Sequence, residues 1–164
     1  MPIGQPKELL PSFLDRLIDA GRSNASSAVV YTLEQMIDTV RADLEELLNT
    51  RQSQPMFDCP YPLVKESILS YGLPDLNSIP GAGARDSDAI GDHITKLIEI
   101  FEPRLRNVRV ALDADYETPR EEARQFRFQI SGSLNVDPAP EVGFETIVEL
   151  ATGQTKVQTA AGLS

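Results

Sequence analysis

The chain changes its hydrophobic period at Phe101-Glu102-Pro103-Arg104-Leu105, and that change limits what it can fold into. Before this point apolar residues recur every three or four positions; after it they alternate. Pro103 lacks an amide donor and disfavours helical backbone at the residue before it, so a helix is predicted to end at Glu102. A carboxylate is poorly placed there, because the negative end of the helix dipole repels it. If Glu102 to Arg104 is extended, the two charged side chains point to one side, with Phe101 and Leu105 anchored in the core. The residues alone leave two readings open, a helix-ending turn with an incidental ion pair or a charge pair presented to something else.

Upstream of this corner the sequence predicts helices. Residues 1–10 form a flexible arm, and Phe13, Leu14, Leu17 and Ile18 give residues 11–18 a short amphipathic stripe closed by Gly21. A polar run over 21–27 leads to the strongest helical pattern. There Leu33, Met36, Ile37, Val40, Leu44, Leu47 and Leu48 keep the 3.6-residue period to about Arg51. Thr32 followed by Gln35 is compatible with a capping box. Arg41, Asp43, Glu45 and Glu46, on the other face, read as solvated charge. Residues 52–62, with Pro55, Pro60 and Pro62, read as a loop. A short helix is expected from Leu63 to Leu69, with Gly72 as its terminating glycine. After a flexible Pro80–Ala84 run, Asp86-Ser87-Asp88 caps a helix buried through Ile90, Ile94, Leu97, Ile98 and Phe101.

Downstream the sequence predicts strands. Val108, Val110 and Leu112 alternate with polar neighbours, and Phe126, Phe128, Ile130, Leu134 and Val136 do so more cleanly. Gly132 interrupts the apolar side and marks a bulge or a close approach. Asp137-Pro138-Ala139-Pro140 turns the chain into a strand over 142–150, and Thr152-Gly153 turns it into another around Val157. The expected fold is α+β, with three to four helices on one face of a three- to four-stranded antiparallel sheet. The other face, carrying Arg127, Gln129, Ser131 and Ser133, meets water. One domain is expected over residues 11–158, with a frayed tail at 159–164.

Little in the sequence supports catalysis. His93 is the single histidine and Cys59 the single cysteine, so a metal cluster, a CxxC site and a disulfide framework all lack partners. No phosphate-cradling glycine loop follows a strand. Acidic residues are numerous enough to leave a two-carboxylate glycosidase open, but none stands out as a pair, and there is no tryptophan for sugar stacking. No catalytic residue, cofactor or metal is expected. A formal charge of −10 disfavours nucleic acid and anionic membrane as partners. With neither a signal-peptide pattern nor a membrane-spanning run, the expected location is cytoplasmic.

Several short motifs occur in a telling order: Asp15-Arg16-Leu17, Asp43-Leu44-Glu45-Glu46-Leu47-Leu48-Asn49-Thr50-Arg51, Tyr71-Gly72-Leu73-Pro74-Asp75-Leu76, Phe101 to Leu105, and the strand Phe126 to Leu134. Together, over residues 10–157, they resemble the TssE family, wedge subunits of the type VI secretion baseplate related to phage-tail baseplate proteins with an old "lysozyme-like" name. The family's Glu-Pro-Arg signature matches Glu102, Pro103 and Arg104. The resemblance implies a non-catalytic protein that binds the wedge subunits TssF, TssG and TssK and contacts the TssB/TssC sheath. It implies a fold like the strand-exchanging part of a sheath subunit, with partner binding at Glu102, Pro103 and Arg104. It also implies assembly into a membrane-docked baseplate. On this reading, charge reversal at Arg104 leaves the fold intact and abolishes sheath assembly. The alternatives are a peptidoglycan-cleaving hydrolase, or the same wedge role in a phage tail or another contractile particle.

Overall fold

A computed structural model describes residues 32–52, 60–75, 87–113, 125–149 and 154–160. The predicted helix at 11–18, the turn at 152–153 and Cys59 lie outside them. The element order is α1 (Leu33–Asn49), α2 (Pro62–Lys65), a 3-10 turn (Ile68–Ser70), α3 (Ser87–Phe101), β1 (Leu105–Leu112), β2 (Gln125–Leu134), β3 (Glu141–Glu149) and β4 (Thr155–Thr159). The strands form one antiparallel sheet in sequence order, an α+β arrangement as expected.

Helix α1 starts where its side chains satisfy the orphan amides. Thr32 N donates to Gln35 Oε1 at 2.9 Å, and Gln35 N donates back to Thr32 Oγ1 at 3.2 Å. Such a cap contributes about 1 kcal/mol. Met36, Val40, Leu44, Leu47 and Leu48 form its buried stripe. It ends at Asn49, slightly before the predicted Arg51, because Thr50 turns extended and its amide closes on Glu46 O at 2.9 Å. Instead of one helix from Leu63 to Leu69, the chain makes a single α turn and then the 3-10 turn. Ser67 divides them, holding extended backbone and accepting the Leu69 amide with its hydroxyl.

Gly72 follows that turn with φ +99°, and a Cβ there would sit 2.5 Å from Thr50 O. Only glycine lets the 70–73 segment pass this close to the end of α1. The contact is fastened by Leu73 N to Thr50 O at 2.8 Å and Gln52 N to Leu73 O at 3.0 Å.

Helix α3 packs on β1 and α1 on β4. Ile90, Ile94, Leu97 and Ile98 meet Phe128, Ile130, Phe144 and Val148 in one apolar cluster. Strand β1 carries an irregularity between Arg106 and Arg109, where Asn107 has φ 54°. Gly132 lies across from it, and a Cβ there would stand 3.1 Å from Arg106 O. The glycine is thus a close approach, and the bulge belongs to its neighbour strand. Strand β2 ends at Leu134, two residues before the predicted Val136, where the Asn135–Pro138 bend begins.

Thr146 is the odd residue of this core. It is fully buried opposite Phe128 and Val157, and its hydroxyl has no hydrogen-bond partner. A buried, unsatisfied hydroxyl is destabilising. Thr146→Val keeps the shape and removes the orphan group, so it should raise unfolding free energy by about 1 kcal/mol. An unchanged or lower urea midpoint would show that the hydroxyl is satisfied in solution.

The candidate partner-binding corner

Helix α3 ends at Phe101, and Glu102 N closes the last helical bond on Ile98 O at 2.8 Å. Glu102-Pro103-Arg104 is not extended; of the two readings the sequence leaves open, it takes the helix-ending turn. It forms a turn, closed by Leu105 N donating to Glu102 O at 3.1 Å. The physical reason is local. Folding the chain back lets the Glu102 carboxylate collect donors that an extended segment would carry past it. Oε1 accepts the Arg104 amide at 3.1 Å and Arg104 Nε at 2.7 Å, while Oε2 accepts Arg104 Nη2. Both oxygens are thereby engaged by one residue two positions along, in the side-on geometry that suits guanidinium and carboxylate.

Glu102 does not face outward. It is 3% exposed, the one buried carboxylate among the described residues. Arg104 is partly covered, and Nη2 also donates to Asp43 Oδ2 on α1. Asp43, expected to be merely solvated, is therefore the third member of the cluster. Asp43 opens one of the quoted motifs, but its pairing with Arg104 is not readable there, because 61 positions separate the two and nothing local couples them. Pro103 is exposed beside them. The 134–140 bend braces the corner, Asn135 N donating to Arg104 O at 2.7 Å and Asn135 Nδ2 to Pro103 O at 3.3 Å.

Burial of the Arg104 guanidinium opposes its charge. The hydrogen bonds and charges of Glu102, then Asp43, more than offset this and hold its pKa above the ordinary arginine value. Arg104 thus stays cationic wherever the protein is folded. Nearby, Tyr71 stands edge-on to Phe101, with ring centroids 5.2 Å apart. Burial, then the charges of Glu46, Asp43 and Glu102, push its phenol pKa up. The corner is a pinning device: one guanidinium joins the end of α3, the start of β1 and the middle of α1.

Among the described residues no three His, Cys, Asp or Glu gather as metal ligands. His93, on α3, is half-buried and lines an open groove of about 260 Å³ with Gln52, Lys65, Ser70, Lys96 and Ile100. Burial, then Lys96, push its pKa down. No described helix is long and apolar enough to cross a membrane.

The family model for baseplate wedge protein gp25 matches residues 34–139, spanning α1, the corner and the β2 strand. The chain belongs to that baseplate wedge family, the one to which the order of its motifs points. No curated protein and no solved structure matches it.

Removing Arg104 strands a buried charge, so Arg104→Met should cost about 3–5 kcal/mol in a urea melt. Glu102→Leu with Arg104→Met should recover most of that loss. Asp43→Ala, at the more exposed end, should cost under about 1 kcal/mol. Equal losses from all three variants would refute the burial argument. By the same argument charge reversal at Arg104 should cost stability in that melt, whereas the sequence reading expects the fold to stay intact.

A second test uses His93. As pH falls through 6.5, its ordinary value, the unfolded chain binds this proton before the folded chain does. Stability should decline between pH 6.5 and the lower folded pKa, and no further below it on this account. His93→Gln should remove that step from a pH series of melts.

Proposed function

We propose that the chain is a non-catalytic baseplate component of a type VI secretion system, linking wedge subunits to the contractile sheath and nucleating sheath assembly. Its partners are then TssF, TssG and TssK in the wedge and TssB and TssC in the sheath. Its place is the cytoplasmic face of a membrane-docked baseplate. The observation that carries the reading is the Glu-Pro-Arg corner in a baseplate wedge chain. Glu102 fixes Arg104, while the part-exposed Arg104–Asp43 pair and exposed Pro103 form the outer surface offered to a partner.

The sheet supplies the templating element. Strands β1 and β4 are its edges. The bulge at Asn107 interrupts β1, and α3 lies against it. On β4 the outward groups of Thr155 are taken by Asn49, Nδ2 to Thr155 O and Thr155 N to Oδ1, each at 2.8 Å. Alternation turns the backbone of Val157 and Thr159 to the same side, beyond Asn49. A preformed edge of this kind lowers the ordering cost of the first incoming strand.

Wall hydrolysis has no such support. Glu102 is buried and both its oxygens hold Arg104, so it is placed to fix the guanidinium rather than to protonate a leaving group.

The test is a pull-down of tagged protein from native cytoplasm, wild type against Arg104→Lys. Lysine keeps a cation beside Glu102 but loses the planar fork. The wild type should recover wedge and sheath subunits. Arg104→Lys, with its cooperative melt retained, should recover several-fold less. Equal recovery would make the corner purely structural, and recovery of the bait alone would remove the baseplate role proposed here.

A further inference from the structure

The sheet face turned away from α1 and α3 is where β1 departs from regular pairing. Between Arg106, opposite Ser133, and Arg109, opposite Ser131, it has two residues, Asn107 and Val108, against the single Gly132. A regular strand would present two of these four side chains to that face. The extra residue keeps Val108 in the core and leaves Arg106, Asn107 and Arg109 all exposed. Ser133 Oγ braces the bulge, accepting from Asn107 Nδ2 and donating to Arg106 O, each at 3.4 Å.

Asn107 and Arg109 line a concavity of about 380 Å³ on this face, with Ser131, Ser133 and, from β3, Glu141. The chain carries 25 acidic residues against 15 basic ones, so a guanidinium has carboxylates in excess to draw on. Arg41, Arg104 and Arg127 each hold one. Among the described residues none lies within ion-pair distance of Arg106 or Arg109, and Glu141 holds no cation. Two guanidiniums three residues apart on one face repel each other, and a carboxylate from outside removes that cost.

We propose that this bulged face docks an acidic segment of a partner protein, its carboxylates meeting Arg109 and Arg106. Charge complementarity selects this occupant. A guanidinium fork takes a carboxylate side-on and is weakly hydrated enough to be covered. The Ser131 hydroxyl, across the ladder from Arg109, donates to the same carboxylate. Glu141 supplies discrimination, because it repels an anion displaced from β1 toward β3. That wall, with the formal charge of −10, also disfavours a continuous run of phosphates such as a nucleic acid.

The inference does not depend on the baseplate role, and its failure would leave that role untouched. The test uses the full chain and a fluorescent peptide of alternating Glu and Ala, which sets its carboxylates at strand period. The wild type should bind it at low salt and release it as salt rises. Arg106→Gln and Arg109→Gln should each weaken binding several-fold while melting as the wild type does. Glu141→Gln should strengthen it, and Lys156→Gln, exposed on β4 of the same face, should leave it unchanged. Absence of salt-sensitive binding, or equal weakening by Lys156→Gln, would overturn the proposal. Displacement of the peptide by inorganic phosphate at equal concentration would overturn it too, leaving an unselective anion site. So would a dimer that Arg109→Gln dissociates in sedimentation, which would assign the face to a second copy.

Discussion

A carboxylate at the end of a helix, buried against a sheet, is the constraint on which this structure depends. Glu102 sits where the α3 dipole opposes it and where water scarcely reaches. An unpaired charge there would cost several kcal/mol in desolvation. The sequence offers relief two residues on, and only a turn can deliver it. Pro103 is central to that turn, because it stops the helix and fixes one backbone angle. The corner is thus specified three ways, by a helix stop, a buried charge and a fork that fits it. Because Nη2 reaches Asp43 as well, the local solution also ties α1 to the corner.

The far end of α1 is fixed by a different kind of bond. Asn49 places its side-chain amide on Thr155 as a neighbouring strand would, donating and accepting at once. Thr155 Oγ1 adds a longer bond to Leu48 O. Meanwhile Thr50 and Gln52 take the backbone of 70–73, a contact that only glycine at position 72 permits. One helix is therefore held by a salt link in its middle and by amide bonds at its end. The apolar stripe between supplies most of the energy, and the polar ties choose the register in which it packs.

What was legible in the sequence follows from the range of the physics involved. The capping box at Thr32, the end of α3 before Pro103 and the alternating strands rest on neighbours within four residues. All appear close to where the pattern puts them. The same holds for the positive φ of Gly72, foreseeable because a helix-like turn precedes it. Burial of Glu102 was not legible. A glutamate beside a proline reads as surface unless the guanidinium two residues away is known to fold back over it. Asp43 was equally hidden among four charges on one helical face, since only the tertiary fold distinguishes it from Glu46. Gly132 leaves a bulge or a close approach open, and the bulge at Asn107 across the ladder was not legible, because a glycine signals close approach without saying which strand is distorted.

The dual character of the corner follows from these facts. A surface ion pair contributes little to stability, so its residues can change without loss of the fold. A buried one cannot lose a single partner cheaply. Glu102 belongs to the second kind, and Asp43, 38% exposed, approaches the first; Arg104 spans both environments. Any partner that engages Arg104 from outside meets a side chain whose rotamer is already fixed from inside, which lowers the ordering cost of that contact. The same fixation means that a substitution which removes the charge disturbs both fold and surface at once. Only a change that keeps the cation and alters its shape separates the two.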